Sequence, residues 1–406
     1  MSDLRDKRLW VLIAIGLAIR VALAFAFRGT NHLFVEYLAA SRVRSWDWHA
    51  VYEGFVPWTY PPLFLGWLAG ASWLSDVSGL SFHSLAKLGP TLADVGLALA
   101  VYVYVGWRGA QERTRLIGVA LVILGPTFIA TSGYHGQIDS VAILPAVLGL
   151  MIWERRSDKP TRALEAGLLI GLGGAVKTVP LLMVLPLLIS AKSWREGAKL
   201  VAAAVVIPAL VLGPLWASGI DLHQVTGYTG VPGWGGLSLA LDPGLAWHNV
   251  TTGPALRSPS ELTRHVHSAA RWITLGTLVA YTAFVYRYRP ALIDAAALLW
   301  LVTFAFSPNF FLTYLVWGLP FFIMAGYLTE VAILQAFLIV PAVAYYLSLW
   351  PARSTAVGIA YVPFMFVLWL ALVAAAIYVA VEIAKRRVQD RPGSQPPLVD
   401  LAPSSG

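Results

Sequence analysis

Apolar runs follow one another along the whole chain, at residues 9–28, 59–76, 89–107, 116–131, 138–153, 163–190, 200–218, 269–286, 291–306, 311–327, 330–350 and 355–383. An α-helix needs roughly 20 such residues to cross the hydrocarbon core of a bilayer, and several runs reach that length. Inside lipid every backbone polar group must bond within the protein, and helices do this within one segment. The fold class is therefore all-α and polytopic. Composition agrees, with 58% of the 406 residues hydrophobic, 12% charged and a mean hydropathy of +0.69. Residues 1–383 read as a single transmembrane domain of about 10–12 helices.

The net charge is +8, but placement matters more than the total. Most of the 29 Lys and Arg residues stand at the ends of apolar runs, in segments 1–8, 108–115, 154–162, 191–199, 286–290 and 384–391. That is the distribution of cytoplasmic loops, so no nucleic-acid partner is implied. The opposite ends then face outward: the 29–58 loop, the turn at 134–140, the 219–268 loop and the turn at 307–309. The 59–76 run would upset this alternation if it crossed fully, so it reads as a half-span or tilted entry helix. The N-terminal "MSDLRDKR" leads into an uncleaved first span. Residues 384–406, rich in Pro, Ser and Gly, read as a disordered cytoplasmic tail. Cysteine is absent, which removes disulfides, thiolate metal sites and thiol catalysis.

Polar residues among the apolar runs mark the candidate site. The turn "YHGQIDS" holds His135, Gln137 and Asp139 between two apolar segments. An aspartate at a helix start is often only a cap, which leaves His135 and Gln137 unexplained. Lys177 stands in "GLGGAVKTVPLLMVLP" with no acid near it in sequence, and Pro180 should break the helix there. A charge at such a place is a functional candidate, either snorkelling to headgroups or holding a phosphate. Arg20, Asp94 and Asp294 also lie in apolar runs, and the two acids are candidates for internal pairing with such cations. The first outer loop carries Glu36, Asp47 and Glu53 among Arg42, Arg44 and His49, with Trp46, Trp48, Trp58 and Tyr60 as an aromatic belt. Residues 35–43 suit an amphipathic helix lying in the interface. The long 219–268 loop supplies Trp234, Trp247, His248, His265 and His267, as a lid or binding loop would. No third ligand completes a metal site with the two histidines, so no metal and no cofactor are expected. Asn309 stands in the turn "SPNF".

These pieces, in this order, resemble the GT-C class of membrane glycosyltransferases, which use polyprenyl-phosphate sugars. The resemblance rests on an acidic outer loop running into "YPPL" at Tyr60–Leu63, on "HGQID", on Lys177-Thr178-Val179-Pro180, and on Ser307–Phe310 followed by Leu319-Pro320. It is strongest to polyprenyl-phosphomannose-dependent mannosyltransferases of actinobacteria. It implies inverting transfer of one hexose, mannose by this likeness, to a glycan or glycolipid acceptor at the outer face of a bacterial plasma membrane. The partners would be the polyprenyl-phosphate-linked donor, the acceptor and the lipid bilayer, without a metal. Relatives usually place an aspartate soon after the first span, where this chain has Asn31-His32. The resemblance therefore puts the catalytic acid at Glu36, with Asp47 and Asp139 as the other candidates. Tyr60, His135, Gln137, Lys177, His248 and Asn309 are its substrate-binding candidates. Two other readings remain open: a transporter or flippase of lipid-linked sugars, and a glycan ligase or polymerase.

Overall fold

The computed structural model describes residues 2–55, 58–227, 229–253, 257–349 and 353–389. No strand occurs among them. Helix α1 (Lys7–Ala26) starts on Asp6, whose carboxylate accepts from the Arg8 N–H. The loop after α1 folds into α2 (His32–Arg44) and α3 (Trp48–Glu53). After them come α4 (Leu63–Ser78), α5 (Phe82–Trp107), α6 (Glu112–Ile123) and the short α7 (Pro126–Phe128). A π-helical turn, Ile129–His135, then leads to α8 (Asp139–Arg155) and α9 (Arg162–Val176). Beyond the break lie a 3-10 segment (Val179–Met183), α10 (Val184–Ile189) and α11 (Trp194–Ala217). The long loop after α11 holds α12 (His223–Thr226), α13 (Leu237–Leu241), α14 (Pro243–Thr251) and α15 (Glu261–Ser268). The remaining bundle is α16 (Ala270–Tyr288), α17 (Leu292–Phe306), a 3-10 segment (Leu312–Trp317), α18 (Leu319–Met324), α19 (Leu328–Ser348) and α20 (Thr355–Gln389). Among the described residues, six helices are long and apolar enough to cross a membrane.

The 59–76 run forms α4, and contacts between α1 and α5 bear on its path. Ser84 Oγ donates to the Ala24 carbonyl at 2.9 Å, and Lys87 Nζ to the Phe27 carbonyl at 2.7 Å. The start of α5 therefore lies beside the end of α1, and α4 returns the chain to the face it left. With 16 residues, α4 is also short for a span. The tail departs from expectation at its start. Residues 384–389 continue α20 as helix rather than coil, and 390–406 lie outside the described residues.

Two buried devices hold the bundle together. Arg20 is fully buried, with Nε 2.8 Å from Asp94 Oδ2, and its guanidinium also donates to the Val122 and Ile123 carbonyls. Those carbonyls are freed where Gly125-Pro126 interrupts the helix, so the arginine satisfies them. Asp94 takes Ser132 and Ser140 hydroxyls as well, at 3.1 and 2.5 Å. One pair thus ties α1 and α5 to both sides of the 134–140 turn, and breaking such a pair costs about 3–5 kcal/mol. The second device is close packing of α9. A Cβ on Gly171 would stand 2.6 Å from the Ala204 carbonyl oxygen, and one on Gly167 2.6 Å from the Ala203 Cβ. Small residues let these backbones approach, as membrane helix pairs require.

Candidate active site

α9 ends at Val176 because Pro180, with no N–H, stands at the start of the next segment. Lys177 is extended (φ −152°, ψ 135°), which directs its side chain toward α8. There Nζ donates to Asp139 Oδ1 at 2.5 Å, and Trp317 Nε1 donates to the same oxygen at 2.5 Å. Asp139 is fully buried and its Oδ2 has no partner. It makes no capping bond, so the cap reading of this residue gives way to a tertiary ion pair. The ammonium also lies 5.0 Å from the Tyr60 ring centroid, 5.0 Å from Tyr314 and 4.9 Å from Trp317. Three aromatic faces stabilise a charge kept out of bulk water.

Beside Lys177 opens a cavity of about 430 Å³. Its polar wall holds Thr59, Tyr60, Thr178, Arg271 and Asn309. Apolar residues line the cavity as well, Val179 and Leu182 from the 3-10 segment after Lys177, Leu275 and Leu278 from α16, and Phe306 from α17. Asn309 is fixed by its own amide, which donates to the Thr229 carbonyl at 2.7 Å and meets His267 Nδ1 at 3.0 Å. The two long loops are clasped together by the Asp221 N–H donating to Glu53 Oε1 at 2.7 Å. That bond holds the exposed Glu53 carboxyl below its ordinary value, with His49 adding to it.

On the other side of the Tyr60 ring lies a second polar cluster. The Tyr60 ring meets His32 edge-on at 6.4 Å, and His32 stacks on His135 at 5.4 Å. Gly136, at φ 80°, turns the chain so that Gln137 faces back to His135, 2.8 Å from its Nε2. Thr30 Oγ1 is 3.3 Å from the other His135 nitrogen. Glu36 lies one turn beyond His32 and is fully buried, with Oε1 3.2 Å from His32 Nε2. That pair is out of hydrogen-bond alignment, so both Glu36 oxygens lack a bonded partner. Burial pushes the Glu36 carboxyl up, while the nearby His32 and the Lys87 charge pull it down.

The structure thus brings Tyr60, Asp139, Lys177 and Asn309 to one cavity or its wall, and gathers His135, Gln137 and Glu36 behind Tyr60. Two candidates fall elsewhere. Asp47 is exposed and caps α3, accepting from the Ala50 N–H at 2.9 Å, so it does not join the site. His248 lies on α14 and does not line the cavity. His265 and His267 diverge, the first meeting the Glu261 carbonyl and the second Asn309. Sequence reasoning passed over Arg271 and His32. Arg271 had a signal: it is a cation at the end of an apolar run opposite to the ends that carry most of the basic residues.

Residues 58–308 match the family model described as glycosyltransferase family 87. The matched stretch takes in Tyr60, Asp139, Lys177 and Arg271. A comparison with curated protein sequences finds no match. Among solved structures, the chain is similar to ArnT from Cupriavidus metallidurans bound to undecaprenyl phosphate, at 14% identity and TM-score 0.48, covering 96% of this chain and 82% of that one. It is also similar to the Archaeoglobus fulgidus oligosaccharyltransferase in the apo form, at 12% identity and TM-score 0.46, covering 95% of this chain. The chain spans 56% of the length of that oligosaccharyltransferase. A further structure of the same archaeal enzyme, AglB, in complex with an inhibitory peptide and a dolichol-phosphate, gives 13% identity and TM-score 0.41 over 93% of this chain and 55% of that one. The family model covers more than half of the sequence and bears out the glycosyltransferase resemblance. By that match, the chain belongs to glycosyltransferase family 87.

Proposed function

We propose that this glycosyltransferase moves one hexose, mannose in the first instance, from a polyprenyl-phosphate donor to a hydroxyl of a glycan or glycolipid, with inversion, at the outer membrane face. One observation carries the reading: a single cavity lined by the cations Lys177 and Arg271 and by apolar side chains. A lipid-linked sugar phosphate combines the two matching kinds of group. Its phosphate fits near Lys177 and Arg271, and its isoprenoid leaves past Leu182, Leu275 and Leu278 toward the bilayer. A volume of about 430 Å³ suits a sugar phosphate head, not a long lipid chain. An ammonium carries three donors, and Asp139 takes one of those on Lys177, which leaves two for phosphate oxygens. As the bond from C1 to the phosphate oxygen breaks, charge grows on the phosphate, where a buried and oriented cation such as Lys177 acts most strongly. Asp139 keeps Lys177 aimed, and Asn309 and Thr178 offer polar contacts to the sugar.

The test uses the purified protein in nanodiscs with polyprenyl-phosphomannose labelled in the sugar. The expected product is the acceptor heavier by one hexose, with the anomeric configuration opposite to the donor's. Use of a sugar nucleotide in place of the lipid donor, or transfer of a whole oligosaccharide, would overturn the reading. Lys177→Ala should lower kcat/KM roughly 10²–10³-fold, the usual loss for a group that stabilises developing charge. Arg271→Ala should act mainly on donor KM, and undiminished affinity for polyprenyl phosphate in both variants would remove the phosphate assignment.

A further inference from the structure

We infer that the proton acceptor of the reaction is His32, and that Glu36 is the buried carboxylate that positions it. This rests on the transfer reaction proposed above and names the group that activates the acceptor hydroxyl. Glu36 is wholly buried, so its carboxylate does not meet an acceptor sugar directly. It faces His32 instead, at 3.2 Å and one helical turn away. His32 is the accessible member, with 20% of its side chain exposed. Its Nε2 is turned inward to Glu36 and is buried without another partner. Nδ1 is then the nitrogen left for a substrate proton.

The ring is held on two further sides. His135 stacks on it at 5.4 Å, and Tyr60 meets it edge-on at 6.4 Å. His135 is itself held by Gln137 and Thr30, which accounts for His135 and Gln137 standing beside Asp139 in one turn. Tyr60 has its other neighbour in Lys177, 5.0 Å from the ring, so one aromatic ring separates the base from the cation assigned to the phosphate. A hydroxyl placed at Tyr60 therefore has the base on one side and the leaving group's counter-charge on the other. The titratable groups facing His32 are Glu36 on its own helix, Tyr60 and His135, with Lys87 near Glu36 and both Lys87 and Lys177 acting on His135. Glu36 is the anion among these that adjoins the ring, and it stabilises the imidazolium as it forms.

The step balances. The acceptor O–H bond breaks and its proton goes to His32 Nδ1. The acceptor oxygen bonds to the sugar C1. The bond from C1 to the phosphate oxygen breaks, and its electron pair leaves with the polyprenyl phosphate beside Lys177. His32 later gives the proton to water.

The test is a set of pH–rate profiles in nanodiscs, with polyprenyl-phosphomannose as donor and polyprenyl phosphate as the binding probe. His32→Ala should lose roughly 10²–10⁴-fold in kcat, the span of general-base catalysis, while donor binding stays within about threefold. Its acid limb should vanish, and added imidazole should restore part of the rate. Glu36→Gln should keep measurable activity, with kcat reduced about tenfold or more and donor KM unchanged, and added imidazole should not restore it. His32→Gln, closer in shape, should show the same kinetic loss with intact donor binding, which separates chemistry from misfolding. Near wild-type turnover in His32→Ala would overturn the dyad while leaving the transfer reaction standing. So would a Glu36→Gln variant that is dead while His32→Ala is active, which would return the base role to the carboxylate. A wild-type protein inert toward every polyprenyl-phosphate hexose would overturn the transfer reading and the dyad with it.

Discussion

At the scale of single residues, Glu36 makes a prediction that concerns stability rather than rate. Its carboxyl is buried without a bonded oxygen, and burial raises its proton affinity above the ordinary value of 4.5. The sign follows from linkage. A group whose folded value is raised contributes stability that is present below the unfolded value and lost as pH rises through the folded one. Glu36→Gln removes that loss, because the amide never ionises. The variant should therefore unfold at the same temperature as the wild type near pH 4 and at a higher one above neutrality, by the equivalent of about 1–3 kcal/mol. Thermal unfolding followed by tryptophan fluorescence in detergent, at both pH values, checks this. A variant less stable than wild type at high pH would show that His32 and Lys87 already outweigh burial. Combined with reduced turnover, a gain in stability is the pattern of a functional residue held against its own preference. Asp139 contrasts with it, since Lys177 and Trp317 both serve its Oδ1.

The elements show what was legible in the sequence and what was not. Span positions were, because hydropathy is local and lipid leaves few alternatives. The break after Lys177 was also legible, because Pro180 acts on its immediate neighbours. The pairing of Lys177 with Asp139 was not: they are 38 residues apart, and Trp317 comes to Asp139 from 178 residues away. Nothing in a linear string fixes which polar turns meet at one end of a bundle. Asp47 is the reverse case. Its acid character suggested chemistry, but a local rule won, since aspartate before a helix start serves the third residue's N–H. The close seam of α9 leads to an element-scale prediction. Gly171→Val would press its side chain on the Ala204 carbonyl, where even a Cβ stands 2.6 Å away. Overpacking of this kind costs about 1–3 kcal/mol. It should separate α9 from α11 and displace Lys177, six residues on, so transfer activity should fall by more than the stability loss explains. Gly276→Val, on α16 where no atom lies within 4 Å of the added Cβ, should be silent in the same thermal and kinetic assays.

For the whole molecule, the distribution of charge decides which compartment the proposed chemistry faces. Arg115 pairs with Glu112, Arg156 with Glu165 and Arg162 with Glu196, all at the end of the bundle away from the Lys177 cavity. That end also carries most of the basic residues that the inward rule assigns to the cytoplasm. The cavity, both long loops and the clasp between Glu53 and Asp221 lie at the other end. The proposed orientation thus puts sugar transfer outside, where a lipid carrier is needed because sugar nucleotides are not there. The absence of cysteine makes this directly testable, since each introduced thiol is the sole one in the chain. His49, on α3, has 61% of its side chain exposed, and Asp158, in the turn after α8, has 73%. Neither substitution touches the proposed site, and exposed pairs such as His49 with Glu53 contribute little to stability. In intact cells, a membrane-impermeant maleimide should label His49→Cys and spare Asp158→Cys until the membrane is permeabilised. The reverse pattern would turn the protein over and place its donor in the inner leaflet. Labelling of both from outside would break the parity that the α1–α5 contacts impose, and would require α4 to cross after all.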